Sequence, residues 1–247
     1  MKTINEVEVM RTFLRFGIMF VVSLIFTCAV SAGQVTDENS PGENPWNGTW
    51  TSGYYTIVIQ ENETGISGWY EPFDIDTYDP GMLTGSLSDD KKIFSGKWIE
   101  SGPNTLYLSD DNMSHSGTGG VYLEGMEQPY SYSMEWNRVG AQLDPDNPWS
   151  GSWENDEAME TMIQNGTSVT STYFQKLTEE DEGDESDEPG IFEGTVTEGG
   201  RTLTGFWTET GNFTFILSED GNFWNGTYNV DFSKFIVTDT WNATKIQ

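Results

Sequence analysis

Cysteine is all but missing from this 247-residue chain, and the single one, Cys28, lies inside an apolar run near the N-terminus. Everything after that run must fold without disulfides, and no thiol is available there as a nucleophile or a zinc ligand. Histidine is as scarce. The one histidine, His115, sits in the polar stretch DDNMSHSG and reads as an exposed turn residue. Without a second histidine or a cysteine, nucleophilic triads and zinc sites lack their parts. Cationic side chains number 11 against 40 acidic ones, a formal charge of −29. Such a surface repels nucleic acid and anionic lipid, which excludes both as partners. With 40 carboxylates, no single pair stands out as a glycosidase signature. No catalytic residue is assigned, no metal or cofactor is expected, and the chain reads as non-enzymatic.

The one long hydrophobic run, Phe16 to Val30, follows Arg11 and Arg15 and ends in Val30-Ser31-Ala32. Basic residues, an apolar core and small residues in that order predict a secretory signal peptide over 1–32. The chain from Gly33 onward then carries 8 basic and 38 acidic residues, a net of −30. It is expected to be secreted or held at the cell surface, with no membrane span after signal removal. Residues 33–43 are polar, aperiodic and expected to be a disordered leader.

What remains says the same thing twice. NPWNGTW (44–50) returns as NPWSGSW (147–153), FSGKW (94–98) as LTGFW (203–207), and LYLSDD (106–111) as FILSED (215–220). The order is kept throughout, so 44–141 and 147–247 are read as two copies of one unit joined by a linker at 142–146. Within the first copy, strands are predicted at 46–50, 54–60, 65–71, 82–87, 93–99, 104–109, 117–123 and 130–138. Each alternates with period two and is bounded by turn residues. EAMETMIQ (157–164) resembles a helix but aligns with the strand YYTIVIQ (54–60). The acidic stretch 176–190 lacks the ordered ligand spacing of a calcium loop and reads as a solvated hairpin.

Eight short strands per copy predict an all-β fold of two tandem antiparallel meander β-barrels, with β-sandwiches as the alternative. A Gly-x-aromatic rhythm favours barrels, because small and large residues must alternate on a tapered inner face. Trp46, Gly48 and Trp50 share one strand face, as do Trp149, Gly151 and Trp153. With Trp98, Trp136, Trp207 and Trp241 they are expected to point inward and build the cores. Seven N-x-[ST] sequons, at Asn47, Asn62, Asn112, Asn165, Asn212, Asn225 and Asn242, are glycosylation candidates. Several of them neighbour inward aromatics, and alternation turns those asparagines outward.

The G-x-W opening, the Gly-aromatic rhythm and the ending FIVTDTWNATKI (235–246) resemble the calycin barrels, and among them the avidin type. That resemblance implies an interior small-molecule site. Carried onto the second copy, it implies polar ligand contacts from Asn155, Tyr173 and Asp239, with Tyr70 at the matching place in the first copy. Met159 and Gln175 stand where the family has hydroxyls, so biotin itself is a poor match. The expected function is binding of a small apolar or amphipathic ligand. A purely structural, glycosylated surface protein and a carbohydrate-binding module are the alternatives. The last of these requires coplanar aromatics on an outer sheet face. Oligomeric state is left open.

Overall fold

A computed structural model describes residues 44–246 except 63–64, 76–77, 122–129, 142–143, 157, 177–188, 198 and 233–234. The side chains of residues 62, 175, 230–232 and 235–237 are also outside the description. The segments expected to be a signal peptide (1–32) and a leader (33–43), and most of the acidic stretch at 176–190, therefore lie outside it.

The fold is all-β and antiparallel, as the alternation predicts. The first copy supplies β1 (Gly48–Thr51), β2 (Tyr55–Asn62), β3 (Gly65–Pro72), β4 (Gly81–Leu87), β5 (Ile93–Leu108), β6 (Ser114–Val121) and β7 (Tyr130–Val139). The second copy supplies β8 (Gly151–Glu154), β9 (Ala158–Asn165), β10 (Ser168–Gln175), β11 (Gly190–Val196), β12 (Thr202–Leu217), β13 (Phe223–Phe232) and β14 (Phe235–Ile246). The segment read as helix-like is strand β9.

The expected strands 93–99 and 104–109 are one strand. Ser101-Gly102-Pro103 looks like a turn in the sequence, yet β5 runs straight through it. Its equivalent β12 is equally long, and the two pair over fifteen residues with Glu100 opposite Glu209 at the centre. On its other edge β5 pairs first with β4, over residues 94–100, and then with β6, over residues 104–108. β12 likewise passes from β11 to β13.

This changes which residues close each barrel. The strands form a closed ring of fourteen, bridged by the β5–β12 pair. The bridge divides the ring into two circuits of eight. The first lobe contains β1 to β4, the first half of β5, the second half of β12, β13 and β14, and it closes through β1–β14. The second lobe contains the rest of β5, β6 to β11 and the first half of β12. Each copy was expected to close on itself. Instead each lobe takes strands from both copies, because β5 and β12 do not turn back where their glycines suggest.

Those glycines serve the crossing. A Cβ on Gly102 would lie 1.5 Å from the carbonyl oxygen of Gly120, and one on Gly211 would lie 1.6 Å from that of Asn229. No side chain fits there without moving backbone. Gly102→Ala is expected to destabilise the protein by about 3 kcal/mol, read as a lower urea midpoint. An unchanged midpoint would show that the strand crossing tolerates expansion.

Each lobe has its own apolar core, and the opening tryptophans and the β5 and β12 residues of the two correspond. Trp46, Trp50, Phe94, Trp98, Phe215 and Trp224 fill the first, while Trp149, Trp153, Leu203, Trp207 and Leu106 fill the second. Buried indoles need partners for their N–H groups. Trp50 donates to the carbonyl of Trp46, and Trp153 to that of Trp149, both at 3.0 Å. Trp98 donates to Asn229 and Trp207 to Gly120, so each indole is bonded to the other copy. One end of each lobe is closed by a cation over the opening tryptophan. Arg138 lies 3.9 Å from the Trp153 ring and Lys245 5.2 Å from the Trp50 ring. Gly151 and Gly48 leave the room these side chains occupy.

Trp136 and Trp241 also face inward, the latter half-buried among Tyr55, Tyr70 and Tyr228. Trp69 is the tryptophan that departs, 41% exposed on the outer face of β3.

Candidate functional site

The lobes differ where it matters for a ligand. Registers make Tyr55, Ile57, Phe213 and Trp241 of the first lobe equivalent to Ala158, Glu160, Asn104 and Met134 of the second. In the first lobe these positions hold three packed rings and the buried Ile57. Trp241 lies 5.5 Å from Tyr55 and 5.6 Å from Phe215 between ring centres. In the second lobe the smaller or polar residues leave a cavity of about 540 Å³. That volume lies within the range typical of small-molecule sites.

The cavity walls combine rings with carboxylates. Trp136, Trp207, Phe192, Tyr132 and Tyr173 supply the aromatic surface, and Leu106, Met134 and Ala158 add aliphatic surface. Asp79, Glu135, Asp156, Glu160 and Glu209 supply the acids. Asp156 is exposed and Tyr132 is 39% exposed, so they mark the rim, while Glu160 lies deep. Tyr173 donates to Glu209 at 2.7 Å, as Tyr70 does to Glu100 at 2.8 Å in the first lobe. Burial and the neighbouring Glu209 raise the Tyr173 hydroxyl well above its ordinary value. Burial holds Asp79 at about 6.

Below the cavity sits a polar group with no counterpart in the first lobe. His115, on β6, stands where the first lobe has Trp224, and Ser171 stands where it has Gly68. His115 is not the exposed turn residue expected from its polar neighbours. It is 1% exposed and packs against Trp136, Trp149 and Trp153. Polar residues flank it, but alternation turns it inward from a strand. Neither ring nitrogen bonds any described residue. Burial, helped by the charge of Arg138, lowers its pKa to about 3. Glu160 accepts a hydrogen bond from the Ser171 hydroxyl, and burial pushes it up to about 7. The Glu160 carboxylate and His115 Nε2 are 4.0 Å apart, too far to share a proton. Burial therefore dominates, and both groups are neutral in mildly acidic solution. Ser171 is bonded to the acid rather than to the histidine, so the three do not form a nucleophilic relay.

The residues carried over from the avidin resemblance divide between lobes. Asn155 and Tyr173 line the cavity together. The Asn155 side-chain oxygen accepts from the Ala158 amide at 2.6 Å, closing the β8–β9 turn. Asp239 belongs to the first lobe, where the Tyr228 hydroxyl donates to it at 3.3 Å. Tyr70 is also there, buried against Tyr55 and Trp241. The trio is split because β14 closes the opposite lobe from β8 and β10. At the Asp239 position the cavity has Tyr132.

Asn104, Glu160 and Ser171 are functional candidates that the motifs did not mark. The signal was present in the aligned copies, where a glutamate in EAMETMIQ occupies the inward place of an isoleucine in YYTIVIQ. Among the sequons, Asn165, Asn212, Asn225 and Asn242 are exposed, and Asn47 is half-buried with its oxygen accepting from the Glu61 amide at 2.7 Å. Asn112 is half-buried in a turn with φ of 58°, and the Asn62 side chain lies outside the described residues. No group of acids, histidines or cysteines suited to a metal ion occurs among the described residues. No helix long and apolar enough to cross a membrane occurs among the described residues.

Comparison with known proteins adds no relative: no family model, curated protein or solved structure matches the chain.

Proposed function

We propose that this is a secreted or cell-surface protein that binds a small amphipathic molecule in its second lobe, the first lobe serving as a filled scaffold. The observation that carries this reading is the contrast between lobes. One sequence unit, folded twice, packs aromatic rings in one interior and leaves about 540 Å³ in the other. A purely structural protein has no reason to place an ionisable Glu160 where the first lobe has Ile57, because burying a carboxyl group lowers stability. Outward sequons such as Asn225 and Asn242 are compatible with a glycosylated surface protein. The carbohydrate-binding alternative has exposed aromatic side chains in Trp69, Tyr107, Phe174, Phe206 and Phe223, but the aromatic residues that line the one-sided cavity are the ones that distinguish the two lobes.

Because Trp136 and Trp207 line the cavity, occupancy is expected to shift tryptophan emission. Titration with indole, 1-hexanol and short alkyl amphiphiles should move the emission maximum, and Trp207→Phe should reduce the response. A flat response across a broad panel would sink the binding reading.

A further inference from the structure

We infer that the second-lobe cavity selects an organic cation, a primary ammonium group carried on an apolar body. This rests on the binding reading above and specifies the ligand's chemistry. Apart from tyrosine, every ionisable residue lining the cavity among the described residues carries a carboxylate. Two cations of the same lobe are engaged elsewhere. Arg138 donates to the carbonyls of Asn112, Pro148 and Ser150 at the closed end. Lys176 is held by Glu154 at 2.9 Å and by the Asn155 carbonyl at 2.7 Å.

Three independent features converge on that ligand. Glu160 and Glu209 place carboxyl groups on the wall of a low-dielectric cavity, where a ligand ammonium favours the ionised form of Glu160 and supplies hydrogen-bond donors to it. Trp136, Trp207 and Tyr132 present ring surface, which attracts a cation as well as an alkyl chain. Asn104 Oδ1 is a buried acceptor with no hydrogen-bond partner among the described residues. An ammonium N–H satisfies it, whereas a quaternary ammonium or a carboxylate does not. In the first lobe the Asn104 and Glu160 positions are Phe213 and Ile57, so the preference belongs to one lobe only.

The experiment is isothermal titration of the whole protein with n-hexylammonium, 1-hexanol and hexanoate, which share a chain and differ in head-group charge. Hexylammonium is expected to bind at least tenfold more tightly than hexanol, with hexanoate weakest. Glu160→Gln should reduce hexylammonium affinity about tenfold and leave hexanol unchanged, and Glu209→Gln should act in the same direction. Ala158→Tyr, which places in the cavity the ring that Tyr55 places in the first lobe, should abolish all binding at unchanged net charge. Hexanol binding as tightly as hexylammonium would overturn the cationic ligand while leaving the cavity a binding site. Hexylammonium binding that survives Ala158→Tyr would assign the effect to the acidic surface and overturn the inference. No binding of any of the three would overturn both the inference and the reading it rests on.

Discussion

Residues 44–141 or residues 147–247, expressed alone, will not yield a folded monomer. The sequence repeat suggests the opposite, since each copy is a complete unit of about 100 residues. But each copy supplies five of the eight strand segments of one lobe and three of the other, and completes neither. The first-lobe core takes Phe213, Phe215, Leu217, Trp224 and Ala243 from the second copy. The second-lobe core takes Leu106, Leu108, Val121 and Trp136 from the first. Burying one large apolar side chain contributes about 1.5–3 kcal/mol, so losing four or five of them removes roughly 10 kcal/mol. That is about the whole stability of a domain this size. The fifteen-residue β5–β12 ladder goes as well, leaving two long edges unpaired. Two outcomes agree with the structure: an unfolded chain, or a dimer in which two identical copies exchange strands as the two copies do here. Mixing the two fragments should restore the native near-ultraviolet signal and a cooperative unfolding transition. Sedimentation and urea unfolding decide the matter. A cooperatively folded monomer from either fragment would show that the copies close on themselves after all.

Much of the fold was legible because the signals were local. Alternation located the strands, including β9 behind its helix-like composition, and the Gly-x-aromatic rhythm placed Trp50, Trp98, Trp153 and Trp207 inside. What the sequence could not disclose was partnering. Ser101-Gly102-Pro103 has the composition of a hairpin turn, and only the tertiary setting makes it a strand crossing. Register within a copy is specified by its own alternation, but nothing local says whether β14 meets β1 or β8. That ambiguity separated Asp239 from Tyr173. His115 was misplaced for a related reason, since its neighbours Ser114 and Ser116 are polar while the residue itself points inward. The cavity was visible only as a difference between copies. Tyr55 against Ala158 and Trp241 against Met134 exchange large for small at inward positions, and Trp136 against Ala243 returns only part of that volume.

Glu160→Gln is expected to make the protein more stable at pH 8 by about 3 kcal/mol and to change little at pH 4.5. The sign follows from burial. Glu160 titrates at about 7 in the folded protein against 4.5 for an ordinary glutamate, because ionisation inside the lobe forfeits water. Between those values the folded state keeps a proton that the unfolded state has lost, so stability falls as pH rises and levels off above 7. A gap of that size corresponds to about 3 kcal/mol. Gln has the same shape, still accepts the Ser171 hydroxyl and carries no charge to bury. The groups around Glu160 do not reverse this sign. Ser171 and Tyr173 face it from β10, Glu209 from β12 and His115 from β6, with Arg138 behind the histidine. His115 acts at the other end of the range. Held neutral down to about 3, it withdraws stability as pH falls below about 6.5, where the unfolded histidine gains a proton. Asp79, held at about 6 by burial, acts in the same sense as Glu160. Repulsion among the surface acids also changes with pH, but it is shared by parent and variant and cancels in their difference. Urea unfolding of both proteins at pH 4.5, 6 and 8 measures that difference, and a gap independent of pH would show that Glu160 titrates alike in the folded and unfolded states, so that burial does not raise it. The first lobe avoids this penalty with Ile57. A glutamate kept in the equivalent place, beside a cavity, lowers stability where nothing structural requires it. Buried charges of that kind mark sites held for binding rather than for the fold.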